Sequence, residues 1–211
     1  MKEVVKDPQK EQRILTTSAS LFGQHGYRET KTDQIAEEAG VSKGLLFHYY
    51  GNKGGLYQAT YTYASDFFYQ RIDYSVWTNA SDLLEMVVEA TKYKIELQLK
   101  YPREFAFLMK SYTEMQTLPE PLRKEMVQRL NQDFSRSMNL TDEVVGKLPL
   151  RKEVQENDVI ETIYAILNSE TTKIQQELAQ HPEWKTIEDL MPVIDRLKRK
   201  LKILEYGFVE R

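Results

Sequence analysis

The chain has 211 residues, 41% of them hydrophobic and 29% charged, with no cysteine and a formal net charge of −3. That length can bury a substantial core and the composition is that of a folded globular protein, while the missing thiols exclude disulfides, thiolate metal sites and a cysteine nucleophile. The small negative charge excludes whole-molecule attraction to a polyanion, so any nucleic-acid site has to be local.

Residues 1–13 lack the apolar core of a secretory signal, and no later apolar run approaches the ~20 residues of a membrane-spanning helix. A soluble cytoplasmic protein without membrane contact is therefore expected. Strand patterning is weak throughout, and helical apolar spacing predicts an all-α chain with helices over about 9–25, 32–39, 43–50, 53–74, 81–100, 102–116, 119–138, 151–180 and 186–206. Seven of the nine glycines lie at or before Gly55, so tight turns are concentrated at the N-terminal end. The expected division is 1–52 and 53–211.

The first helix carries an apolar stripe of Ile14, Leu15, Ala19, Leu21 and Phe22, and Gly26 offers a left-handed cap. Thr30 and Asp33 form a Thr-x-x-acid pattern that would cap a short helix bearing Ile35, Ala36 and Ala39. Gly40 then turns the chain, Val41 plugs the angle, and Ser42 is a natural N-cap for the next short helix. Two short helices joined by Ala39-Gly40-Val41-Ser42 form a helix-turn-helix.

The second of these helices is ~10–12 Å wide with side chains and fits a DNA major groove of ~12 Å. Lys43 and His48 offer donors, Tyr49 a hydroxyl, Gly44 close approach and Leu45 an apolar contact for a thymine methyl. Asn52 caps the helix that follows, and Lys53 with the free amides of that first turn makes a phosphate seat.

In order, Ile14-Leu15, Leu21-Phe22, Gly26-Tyr27, Thr30, Ile35-Ala36, Ala39-Gly40-Val41-Ser42, Gly44, Phe47-His48-Tyr49-Tyr50, Lys53 and Leu56 closely resemble the N-terminal domain of the tetracycline-repressor (TetR) family. The resemblance covers about a quarter of the chain. It implies a three-helix DNA-binding domain, a divergent C-terminal helical bundle for effector binding and dimerisation, and repression relieved by a small molecule. Carried over by position, DNA contacts fall on Thr30, Lys31, Thr32, Lys43, Gly44, Leu45, Phe47, His48, Tyr49 and Lys53. Phe47 stands where the family usually has tyrosine and Tyr50 where it has phenylalanine. Gly54-Gly55 replaces charged helix formers, and each glycine weakens a helix by about 1 kcal/mol. These departures support an alternative, a helical protein-interaction module whose helix-turn-helix is degenerate.

Beyond residue 53 local physics takes over. Leu190, Ile194, Leu197, Leu201 and Leu204 alternate in steps of four and three, the spacing of a helix-helix seam, and Ile160, Ile163 and Leu167 make a second face. Both are expected at a homodimer interface, with intrachain core as the competing assignment. Trp77, Tyr93, Phe105, Met109 and Tyr112, with Tyr164 and Asn168 as polar anchors, are candidates for a pocket taking a hydrophobic or amphipathic effector. No paired histidines, phosphate loop or acid-base pair emerges, so neither a metal, a cofactor nor catalysis is expected. The expected partners are palindromic double-stranded DNA, a small effector and a second copy of the chain.

Overall fold

A computed structural model describes residues 6–73, 75–79, 83–146, 150–181, 183, 184, 186 and 188–206. Helix α1 (Pro8–Glu29) begins where the Asp7 side chain accepts the main-chain N–H groups of Gln9 and Lys10, with Pro8 in the first helical position, where no intrahelical donor is lost. There follow α2 (Thr32–Glu38), α3 (Lys43–Tyr50), α4 (Lys53–Tyr69), α5 (Ser75–Thr78), α6 (Leu83–Lys100), α7 (Pro102–Thr113), α8 (Glu120–Val145), α9 (Glu156–Gln180) and α10 (Met191–Tyr206). Short 3₁₀ turns precede α8 and α10, at Met115–Thr117 and Glu188–Leu190. The described residues contain no strand, and the all-helical architecture with a helix-turn-helix in its first part is as expected.

Helix ends differ where local chemistry overrides apolar spacing. The predicted helix over 53–74 closes at Tyr69, and Ser75–Thr78 forms a separate turn. Asp73 helps start it, its carboxylate accepting the Ser75 N–H at 3.0 Å. Helix α9 starts at Glu156 rather than 151.

The chain forms two compact units that are not consecutive in sequence. One comprises residues 1–72 and 101–132, the other 73–100 and 133–211. The expected boundary after residue 52 is not a structural one, because α4 and α7 pack on α1 and complete its core. Phe22, Tyr57 and Phe107 from these three helices are fully buried, with edge-on ring contacts of 4.9 Å for Phe22–Tyr57 and 5.2 Å for Tyr57–Phe107. Ile14, Ile35, Leu46 and Leu56 carry the same core into the helix-turn-helix.

In the second unit α10 packs on both α6 and α9. Its heptad residues Ile194, Leu197 and Leu201, with Leu190 of the preceding 3₁₀ turn, are at most 3% exposed, as are Ile160 and Ile163 of α9, while Leu167 and Leu204 are half-buried. The expected homodimer seam is thus filled by the chain's own helices. A heptad pattern reports a helix partner without saying which chain supplies it.

Between α9 and α10 lies a buried carboxylate, Glu170, which accepts from Arg196 at 2.8 Å and from Lys200, while Arg196 also forks onto Glu177 at 2.8 and 3.1 Å. Burial alone would raise the Glu170 pKa, but hydrogen bonds from Lys200 and Arg196 outweigh it and hold the carboxyl below its usual range. A depressed carboxylate adds stability above its unfolded pKa and loses it as pH falls through the folded one. Acid unfolding followed by circular dichroism is therefore expected to steepen below the ordinary glutamate range. Glu170→Gln should flatten that limb and lower neutral-pH stability by about 1–3 kcal/mol.

Candidate nucleic-acid interface

Helix α1 is interrupted at Gly26, whose φ of 76° and ψ of 174° leave the helical region before a last turn ending at Glu29. The extended ψ makes this a kink rather than the left-handed cap expected from sequence. Breaking the helix frees the main-chain N–H of Tyr27, which donates to both carboxylate oxygens of Glu114, at 3.0 and 2.9 Å. The Tyr57 hydroxyl donates to the same carboxylate at 2.7 Å. Burial pushes the Tyr57 phenol well above its usual pKa, and this bond adds to the shift, so the group is a permanent donor. A side chain at residue 26 would bring its Cβ to 2.5 Å from Glu114 Oε2.

Thr30 is 1% exposed, and its hydroxyl donates to the carbonyls of Gly26 at 2.7 Å and Leu21 at 3.1 Å. It closes the broken end of α1, which corrects its assignment as a DNA contact. Nor does it cap α2: the residue before that helix is Lys31, and no side-chain cap bond forms there. Lys31 is exposed and Thr32 half-buried.

From α2 the chain turns through Gly40 at φ 64°, with Val41 N–H donating to the Ala36 carbonyl at 2.9 Å. Arg13 of α1 holds this turn by donating through Nε to the Ala39 carbonyl at 3.0 Å. Ser42 then caps α3, its Oγ accepting the Leu45 N–H at 3.1 Å. Leu46 and Tyr50 seat α3 on the core, leaving Lys43, Gly44 and His48 exposed and Leu45, Phe47 and Tyr49 partly so.

Three of the expected DNA-contacting side chains have partners already. Lys43 Nζ lies 2.6 Å from Asp33 of α2, an exposed pair whose opening asks for less than about 1 kcal/mol. The Tyr49 hydroxyl accepts the Asp7 N–H at 2.9 Å. Lys53 donates to the Arg28 carbonyl at 3.1 Å and sits 4.8 Å over the Tyr27 ring. Burial pushes its ammonium below the usual lysine value, with Glu29 and Glu114 opposing. The cation expected at phosphate is thus held against the residue that Glu114 positions. Neither Glu114 nor Arg13 was foreseen from sequence, since Glu114 lies 87 residues beyond its main-chain partner and belongs to no local motif.

Gly55 also takes a different meaning. A Cβ there would lie 2.1 Å from the Tyr50 carbonyl oxygen, so the glycine permits α3 and α4 to meet at their short junction. Asn52 still caps α4, accepting the Gly55 N–H at 2.9 Å.

The expected effector residues are divided between the two units. Phe105, Met109 and Tyr112 belong to the first unit, and Tyr93, Tyr164 and Asn168 to the second. Tyr112 is 63% exposed, since α7 turns Glu104, Phe107 and Ser111 inward, and Asn168 of α9 is exposed as well. The Trp77 side chain lies outside the described residues. Among described residues there is no cluster suited to a metal ion, and no helix is long and apolar enough to cross a membrane.

Two substitutions probe this geometry. Gly55→Ala, stabilising in an ordinary helix by about 1 kcal/mol, is expected to lower the melting temperature. Glu114→Ala, which removes the acceptor of the Tyr27 N–H and Tyr57 O–H, should cost about 1–3 kcal/mol in denaturant unfolding.

Residues 14–60 match the family model described as bacterial regulatory proteins, tetR family. The HTH-type transcriptional regulator HbdR of Aromatoleum sp. (strain CIB) is 36% identical over 76 residues, 34% of this chain and 33% of that protein. The chain thus spans about a third of the length of the curated relatives it matches. The fold is similar over 97% of this chain and 100% of a TetR-like transcriptional regulator from Rhodococcus sp. RHA1, with TM-score 0.66 and 17% identity. It is also similar over 94% of this chain and 99% of the Bacillus subtilis regulator FadR, solved with stearoyl-CoA, with TM-score 0.66 and 13% identity. The N-terminal segment is thus similar to the tetR family of bacterial regulatory proteins, and the helical fold is similar to that of solved TetR-like regulators.

Proposed function

We propose that this protein is a sequence-specific DNA-binding transcriptional regulator, a cytoplasmic repressor that leaves its operator when a small hydrophobic or amphipathic effector binds. The observation that carries this is the seating of α3: Leu46 and Tyr50 fix it on the core while Lys43, Gly44, Leu45 and His48 remain accessible on its outer side. Lys43, Gly44 and Leu45 would meet base edges, and Lys31, Thr32, Phe47, His48 and Tyr49 would flank them. Lys53, already hydrogen-bonded at the start of α4, would give a phosphate contact that sets register without reading sequence.

Residues after 52 would serve effector binding and pairing. Half-buried Tyr93, Phe105, Met109 and Tyr164 stay candidate effector contacts, and the structure of FadR with stearoyl-CoA supports an effector with an apolar chain. Two copies would present their α3 helices about 34–36 Å apart to successive major grooves of a palindromic site. Because the α10 seam is filled internally, the second copy would meet other faces, among them the side of α10 bearing Ile203, 51% exposed, and Tyr206, 70% exposed. No catalytic role is assigned. The degenerate-module alternative loses half its support, since Gly55 serves close packing.

Selection from a random duplex pool, followed by gel mobility shift, tests this directly. A palindromic consensus bound with steep salt dependence is expected. Lys53→Ala should weaken all duplexes about equally and reduce the salt slope by about one, whereas Lys43→Ala and Leu45→Ala should change base preference. Indifference to every duplex at low salt would overturn the regulator assignment.

A further inference from the structure

The turn between the Gly26 kink and α2 is tied down at both ends. Thr30 holds the far end through its N–H and its hydroxyl, both donated to the Gly26 carbonyl, at 3.3 and 2.7 Å. Glu114 holds the near end by accepting the Tyr27 N–H at 3.0 and 2.9 Å. A charge-assisted bond to the main chain fixes the backbone itself rather than one rotamer.

Two consecutive residues of this turn make a seat for Lys53. The Tyr27 ring lies under the ammonium, with its centroid 4.8 Å from Nζ, and the Arg28 carbonyl accepts from the same nitrogen at 3.1 Å. The ring is itself confined, edge-on to Tyr57 at 5.2 Å and stacked with Phe22 at 6.3 Å. Anchoring one main-chain N–H therefore places both halves of the seat.

An ammonium has three donors, and the Arg28 carbonyl is the only acceptor that Lys53 has among the described residues. A ring face holds a cation without using one of its hydrogens. Glu29 and Glu114 act on the ammonium from further off, and neither forms an ion pair with it. Lys53 is half-buried rather than enclosed, so it is held in place with donors left for an oxyanion. An unrestrained lysine loses rotamer freedom when it meets a phosphate. One already seated loses less, and the same contact then gives tighter binding.

We propose that Tyr27 and Glu114 are positioning residues for DNA binding: Glu114 anchors the turn after the kink, and the Tyr27 ring with the Arg28 carbonyl holds Lys53 ready for a backbone phosphate. The role rests on the DNA-binding regulator described above. Neither residue touches the phosphate, and both act through Lys53.

The test uses the full chain with the selected duplex and one unrelated duplex. Binding is followed by fluorescence anisotropy at a fixed salt low enough for both to bind, below the melting transition of every variant. Tyr27→Leu and Glu114→Ala should each weaken both duplexes by about three- to tenfold. Tyr27→Phe, which keeps the ring, should stay within about twofold of the wild type. In a Lys53→Ala background, Tyr27→Leu and Glu114→Ala should weaken binding by no more than about twofold, because the side chain they place is gone. Should Glu114→Ala not fold, Glu114→Asp draws the acceptor back by one methylene and carries the same expectation. The same loss with and without Lys53, an unchanged or tighter complex, or a loss as large for Tyr27→Phe as for Tyr27→Leu would overturn the positioning role and leave DNA recognition standing. If the wild-type protein binds no duplex at low salt, the regulator assignment falls and this role falls with it.

Discussion

The first unit depends on one carboxylate. Glu114 receives the main-chain N–H that α1 gives up at its Gly26 kink and the hydroxyl of the buried Tyr57. Three helices distant in sequence are thereby pinned at one point, and the Tyr27 N–H freed by the kink gains an acceptor. Directly beside it, Tyr27 faces the Lys53 ammonium, and Lys53 holds the Arg28 carbonyl. The last turn of α1, the entry to α2 and the start of α4 are therefore oriented by a residue just past the end of α7. A helix-turn-helix has little core of its own, and here its placement is fixed by charge-assisted hydrogen bonds as well as by apolar contact.

Much of this was legible in the sequence because the signals are local. Ser42 and Asn52 announce caps three residues ahead of the amide they accept, Gly40 marks the turn, and Leu46 falls where a short helix must seat itself. What remained hidden are the interactions whose partners are distant: Arg13 on the Ala39 carbonyl, Glu114 on Tyr27, and the junction that requires Gly55. Thr30 shows how a local pattern misleads. Threonine before a helix reads as an N-cap, but the carbonyls exposed by the kink at Gly26 are nearer, and the hydroxyl turns back to them.

The second unit teaches the complementary lesson. Heptad spacing on α10 identifies an apolar line with a helical partner, and the partners are α6 and α9 of the same chain. Its register is also marked by charge, since Glu170 can meet Arg196 and Lys200 together only in one sliding position of α9 against α10. Apolar seams tolerate displacement by a turn, and a buried carboxylate left without its cations does not.

The bond between the Asp7 main chain and the Tyr49 phenol has a further bearing. The oxygen serves there as acceptor only, so its own proton is still available, and a phenol can accept and donate simultaneously. Tyr49 can therefore offer that proton to an incoming oxyanion while continuing to hold the first residue of the α1 cap. Phenylalanine at this position would forfeit both at once, and the segment leading into α1 would lose its hydrogen bond to α3.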